Sequence, residues 1–571
     1  MPTTARIPGW LLGSVATLAL ICALAPIAAV AQSAQPDDRI DAIEHQIRGM
    51  EAELRQLKTE LRQSRAEAAR SRAALHQARA AAARAAVSES QAVAAAQQAQ
   101  AVAAAPLPPR LVAPPPVKPA AVAPAPGMPV PGGVAAVAVQ TSGNRFGLES
   151  ADGSNSIFLT GRLHFDVGDY LNYRPASKFA SVQDLNSGLN ARRARLGVTG
   201  KFLGDWQYTL IYDFGGSTDE GPGGAGTTSG GIQTAELTYN GFYKGPTPVA
   251  FDLGYMDTPF TLDEATSSND LMFMERASIQ TVASGIFAND FRSAVGARSN
   301  NDRYWAGTYL TGPQSGATHN TGEQYGAFGR GTYQVLVGPD YSVHVGADVG
   351  ALLKPPTVTG VQTITLSDRP ELRIDPTTIL STGALGTPAH PVSGAQVYGV
   401  EGAAGWRNLF LQGEYYHIAV DRFGLATNGF DGGYIEGSWT ITGEHRKYIP
   451  ATGAYSGIVP FEPFEPWAQN YGIGAWELAF RYSTIDLNSN FTAGAAPGPT
   501  SNAVGGGTQT VYAVGLNWYL DANVRFMLDY LHANIDKRYS VAAGGGVAGT
   551  PLGTSVGGTM DALAMRMQFA F

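Results

Sequence analysis

From residue 156 to the end of the chain, apolar and polar side chains alternate with a period of two in one stretch after another. Ile157, Leu159, Leu163, Phe165 and Val167 interleave with Phe158, Thr160, Arg162, His164 and Asp166, and Tyr341, Val343, Val345, Ala347 and Val349 with His344, Gly346 and Asp348. Successive side chains of a strand point to opposite faces, so the pattern predicts strands with one oily and one ionic face. In 206–214 the oily set is Trp206, Tyr208, Leu210, Tyr212 and Phe214; in 191–198 the same period sets Arg193 and Arg195 opposite Ala194, Leu196 and Val198. Further strands are predicted over 411–415, 440–446 and 475–483, on both sides of the tight turn Asp521-Ala522-Asn523, and in the closing run Met565 to Phe571. Short turns at 200–205 and 521–523 alternate with Gly/Ser/Thr/Asn-rich inserts at 215–231, 312–322, 488–507 and 542–558. Short turns at one end and long loops at the other are the rule of a membrane barrel.

One insert stands apart. Phe251, Leu253 and Tyr255 alternate with Asp252, Gly254 and Met256 before it, and Val295 and Ala297 with Arg292, Gly296 and Arg298 after it. With the oily face in lipid and the ionic face on water, a segment as long as 256–288 is expected to fold inward and constrict a pore.

The N-terminal quarter reads differently. Arg6 precedes an Ala/Leu-rich run and Ala29-Val30-Ala31 offers a small-x-small cleavage site, so 1–31 is expected to be a signal peptide. Cys22, the sole cysteine, leaves with it, and no disulfide is expected. Ile40, Ile43, Ile47, Met50, Leu54, Leu57 and Leu61 fall at 3-4 spacing, predicting a coiled coil over 37–90; isoleucine at both core positions of the first heptad favours three strands. An Ala/Pro-rich linker is expected over 91–140. The helix charges read as a solvated face and not as a nucleic-acid site, and a cell-wall contact through the rod is a candidate role. Past the signal no apolar run reaches the roughly 20 residues of a membrane-spanning helix, so only a barrel can cross.

Composition adds 69 glycines, 24 tyrosines and 23 phenylalanines, which suit tight turns and interfacial aromatic girdles. Arg162, Arg193, Arg195, Arg292, Arg298, Arg330, Arg481, Arg525 and Arg566 are the candidate pore-facing cations; fixed positive charge at a narrow place favours anions. Inward acids such as Asp166, Asp213, Asp252, Asp348, Glu414 and Asp529 compete for them as wall ion pairs. From Thr141 onward 26 basic residues face 38 acidic ones, a net charge of −12, with the excess assignable to external loops. The scattered histidines have no metal-ligand spacing and no nucleotide or hydrolase motif is visible, so no cofactor, no metal and no enzyme activity are expected. An envelope tether and a barrel hydrolase are the competing readings.

The string Thr258-Pro259-Phe260-Thr261-Leu262-Asp263-Glu264, followed by Thr266-Ser267-Ser268 and Phe273-Met274-Glu275-Arg276, resembles the inward-folded loop of the phosphate-selective porin O/P family, and the resemblance extends from about Gly147 to Phe571. It implies an all-β, transmembrane antiparallel barrel of about 16 strands, trimeric, in the bacterial outer membrane, passing small phosphate-like anions. The loop residues it singles out are Asp257, Pro259, Phe260, Asp263, Glu264, Glu275 and Arg276. Asp257 stands where the family often has lysine. Arg276 is expected to brace the loop through Glu275 or a wall acid, and Phe571 to serve as the barrel's assembly signal.

Overall fold

The computed structural model describes residues 136–571, except 141–144, 216–230, 245–247, 315–322, 467–471, 492–501 and 542. The expected signal peptide, the coiled coil and all of the linker but its last five residues lie outside the described residues. Those last five, Ala136–Gln140, form a strand paired antiparallel with Phe146–Ser150.

Eighteen strands form one antiparallel sheet. Sixteen of them close a barrel: the first, Ser156–Pro175, pairs with its sequence neighbour and also with the last, Gly558–Ala570, from Ala570 opposite Arg162 to Gly558 opposite Pro175. The remaining two are the N-terminal hairpin, which adds to the start of the first strand at Gly147 opposite Phe158.

The two-residue rhythm sorts the wall as the sequence requires. Leu159, Val345 and Phe480 are about half exposed on the outside, whereas His164, Asp166 and Arg566 on the other face are at most 2% exposed. The period breaks where one residue is added. Between His164 and Phe165 the partner strand skips from Arg193 to Ala191, so Arg192 is the extra residue of a bulge and both Arg192 and Arg193 are buried.

Three segments fold into the lumen. The first, 259–288, carries α1 (Leu262–Ala265) and α2 (Ser278–Gly285). The Thr261 hydroxyl accepts from the Glu264 N–H at 2.8 Å, capping α1. No side chain of its own caps α2; Glu371 of the second inward segment, 355–391, accepts the Ser278 N–H at 3.0 Å. Phe260 packs in the lumen against Phe287, Phe328 and Tyr416, with ring centroids 5.1, 5.2 and 6.2 Å away.

The third segment, 441–458, corrects an expectation. The strand predicted over 440–446 ends at Thr440. Gly443, with φ +106°, turns the chain, and the small hairpin Tyr448–Ile449 with Ala454–Tyr455 enters the barrel from the short-turn end. The Arg330 Nη2 and Nη1 donate to the carbonyls of Gly453 and Thr452 at 2.8 and 3.0 Å, and the Trp305 indole to Ala451 at 3.1 Å. Gly453 has φ +62° and sits so close to Trp305 that a Cβ there would lie 2.9 Å from its side chain.

Candidate functional site

Glu275 is the residue that ties the first inward loop to the wall. Arg192 grips it twice, Nε to Oε1 at 2.8 Å and Nη2 to Oε2 at 3.0 Å; Arg566 adds 3.0 Å and Arg373 3.3 Å. Burial pushes the Glu275 carboxyl up, but Arg192 and Arg566 together outweigh it and hold the group well below its ordinary 4.5. Arg566 is itself fixed by Asp166, with two contacts of 2.7 Å. Nearby, Arg481 bridges Glu436 at 2.8 Å, Glu371 at 3.1 Å and the Glu275 carbonyl at 2.9 Å. The other end of the loop hangs on Glu414, which accepts the Leu262 N–H at 2.7 Å and the hydroxyls of Tyr416 and Tyr434 at 2.8 and 2.7 Å.

Arg276, expected to brace the loop through Glu275 or a wall acid, meets two acids of the loop itself. It turns back within the loop, 3.5 Å from Asp263 and 3.4 Å from Glu264, and donates to the carbonyls of Asp263 and Thr266. It braces the loop against itself. Burial still pushes Asp263 up to about 6, with Arg276 opposing.

At least five of the nine wall arginines are held by acids. Besides Arg481 and Arg566, Arg195 meets Asp213 at 2.8 Å, Arg298 meets Asp252 at 2.9 Å, and Arg330 meets Glu401 at 2.8 Å and Asp348 at 3.6 Å. The acid excess is therefore not confined to external loops: Asp166, Asp252, Asp348, Glu401, Glu414, Glu436, Glu477 and Asp529 are all buried inside. Arg292 closes the end of α2 by donating to the carbonyls of Gly285 and Ala288.

Arg162 and Arg525 meet the loop tip. Arg162 donates to the hydroxyls of Ser267 and Ser268, and Arg525 Nη1 to the Asn269 carbonyl at 3.2 Å. Arg525 is 2% exposed and lies 4.6 Å over the Tyr519 ring, yet its Nε and Nη2 have no hydrogen-bond partner among the described residues. Beside it opens a cavity of about 300 Å³, at the short-turn side of the loop tip. Arg145, Arg162, Arg195 and Arg525 line it, together with the loop's Asp257 and Asp270, and Phe571 closes one side.

The family model described as "Phosphate-selective porin O and P" matches residues 157–571, most of the chain and the whole barrel. The chain belongs to this family. Porin O of Pseudomonas aeruginosa is 26% identical over 421 residues, covering 71% of this porin and 88% of that one. An uncharacterized protein of Caulobacter vibrioides is 26% identical over 405 residues, 66% of this chain and 68% of its own. Among solved structures, the anion-selective porin from Comamonas acidovorans aligns over 73% of this chain and 100% of its own, at 13% identity and a TM-score of 0.42. A closed antiparallel barrel in this family makes the porin an outer-membrane β-barrel.

Of its expected loop residues, Asp257 alone lines the cavity; Phe260 is core, and Asp263, Glu264 and Glu275 are anchors. Pro259 marks where the strand stops and the loop begins. Arg192, Arg373 and Arg446 were not legible as site residues. Arg192 lies in a bulge, and Arg373 and Arg446 sit on inward loops with no two-residue period to place them. Arg446 is buried and grips Glu477 at 2.8 Å while donating to the Asp270 carbonyl at 2.6 Å.

Proposed function

We propose that this porin lets small hydrophilic anions, phosphate-like ones among them, diffuse passively across the outer membrane. Arg525 carries the reading: a buried guanidinium with two nitrogens unpartnered among the described residues, beside a cavity of about 300 Å³ that three other arginines share. A guanidinium does not titrate in the working range and its fork matches the oxygens of a phosphate-like solute. The ion-paired arginines elsewhere hold the loop and wall in place and leave this cavity as the discriminating stretch. The acids Asp257 and Asp270 in the same lining argue for modest selectivity over tight capture.

The same reading has the barrels as a trimer with their short-turn end in the periplasm, and residues 37–90 as a periplasmic coiled coil that contacts the cell wall. Its support is the first-heptad isoleucines and the family. The decisive measurement is the reversal potential in a salt gradient across a planar bilayer, followed by phosphate titration. Anion preference with concentration-dependent phosphate block is expected. In Arg525→Ala the permeability ratio of anion to cation should fall roughly tenfold, as for loss of a charge-assisted contact. Potassium preference without phosphate block would falsify the anion assignment and leave the barrel intact.

A further inference from the structure

On the same strands as the cavity beneath the loop tip, and nearer the short-turn mouth, lies a second cavity of different chemistry. Thr199 follows Arg195 by four residues, about 13 Å nearer the short-turn mouth. Phe158 likewise precedes Arg162, Thr209 precedes Ile211, and Glu236 follows Gln233. This outer cavity measures about 370 Å³.

Its cations are already engaged. Arg298 is bidentate on Asp252, at 2.9 and 3.3 Å, and Lys201 lies 3.7 Å from Glu149. Glu236 forms no ion pair among the described residues; the Thr238 hydroxyl donates to it at 3.3 Å. What remains is an acceptor carboxylate, the amide of Gln207, the ring of Phe158 and the hydroxyls of Thr199 and Thr209, which lie 3.1 Å from one another. A bare anion gains nothing here, because Glu236 repels it. A polyol gains from each group: its hydroxyls donate to Glu236 and exchange hydrogen bonds with Gln207 and the threonines, while a sugar's C–H face covers Phe158.

We infer that the solute this porin favours is a phosphorylated polyol, of the sugar-phosphate class, with its phosphoryl group in the inner arginine cavity and its hydroxyls in the outer one. The inference rests on the anion reading above and adds the neutral half of the solute. It orders the two chemistries along one path: charge at the loop tip, hydroxyl recognition at the mouth.

The test uses the full chain in planar bilayers carrying chloride current, with glucose 6-phosphate, inorganic phosphate and glucose as blockers. Glucose 6-phosphate should half-block at a concentration about tenfold below that of inorganic phosphate, the worth of one hydrogen bond to a charged group. In Glu236→Gln, and in Gln207→Ala at an exposed position that leaves assembly alone, that ratio should collapse toward one. Equal block by the two anions in the unmodified porin, or a ratio that survives both substitutions, overturns the inference while the anion channel stands. Rejection of both anions removes the channel reading and the inference together.

Discussion

At the scale of single residues, the lumen is governed by which charges have partners. Removing Glu275's charge leaves Arg192, Arg566 and Arg373 facing one another without their shared acid, and breaking a buried pair costs about 3–5 kcal/mol. Glu275→Gln should lower the free energy of barrel unfolding in detergent by an amount of that order, seen as a lower urea midpoint, and an unchanged midpoint would show that the loop hangs on Glu414 instead. The pH dependence of two loop acids runs in opposite directions. Glu275 is depressed in the fold, so its stabilisation is present above its ordinary 4.5 and is lost as pH falls through the lower folded value. Asp263 is raised from 3.8 to about 6, so its contribution is fully present below 3.8 and is lost as pH rises through about 6. Asp263→Asn should therefore flatten the stability profile between those two values and leave the acid-side loss untouched. Alternation found Arg193 and Arg195 but not Arg192, because a bulge adds one residue and a period-two reading has no way to register it.

At the scale of elements, strands were legible and inward loops were not, for a physical reason. A strand between lipid and water must sort its side chains by face, and that sorting is written in the sequence. A loop packed inside a barrel meets protein on most sides, so Phe260, Tyr455 and Glu371 are buried with no periodic cue. Only the loop at 256–288 is legible, from its length between two alternating strands and from its family resemblance; 355–391 carries no such cue, and 440–446 reads as a strand. The hairpin Tyr448–Ile449 with Ala454–Tyr455 occupies lumen near Trp305 and Arg330, and none of its residues lines the arginine cavity. Replacing 448–455 by a short Gly/Ser link should raise single-channel conductance and leave the reversal potential where it was. A shift in reversal potential would mean that the hairpin, and not the loop tip, lines the selective stretch.

At the scale of the whole molecule, net charge and the proposed selectivity point in opposite directions. The chain from Thr141 carries −12, and much of that acid is inside the barrel, so the long-range field disfavours anions. Preference for anions then has to come from short-range contact with Arg525 and its neighbours at the loop tip. Salt separates the two contributions. The Debye length shrinks from about 10 Å at 0.1 M to about 3 Å at 1 M, which removes the distant acids' influence but screens a buried guanidinium much less. The anion-to-cation permeability ratio should therefore rise between 0.1 and 1 M potassium chloride, the reverse of a pore whose selectivity comes from a net positive field. Reversal potentials at fixed gradient and increasing mean concentration measure it directly. A ratio that falls toward one with salt would place the selectivity in the overall field and take it away from the arginine cavity.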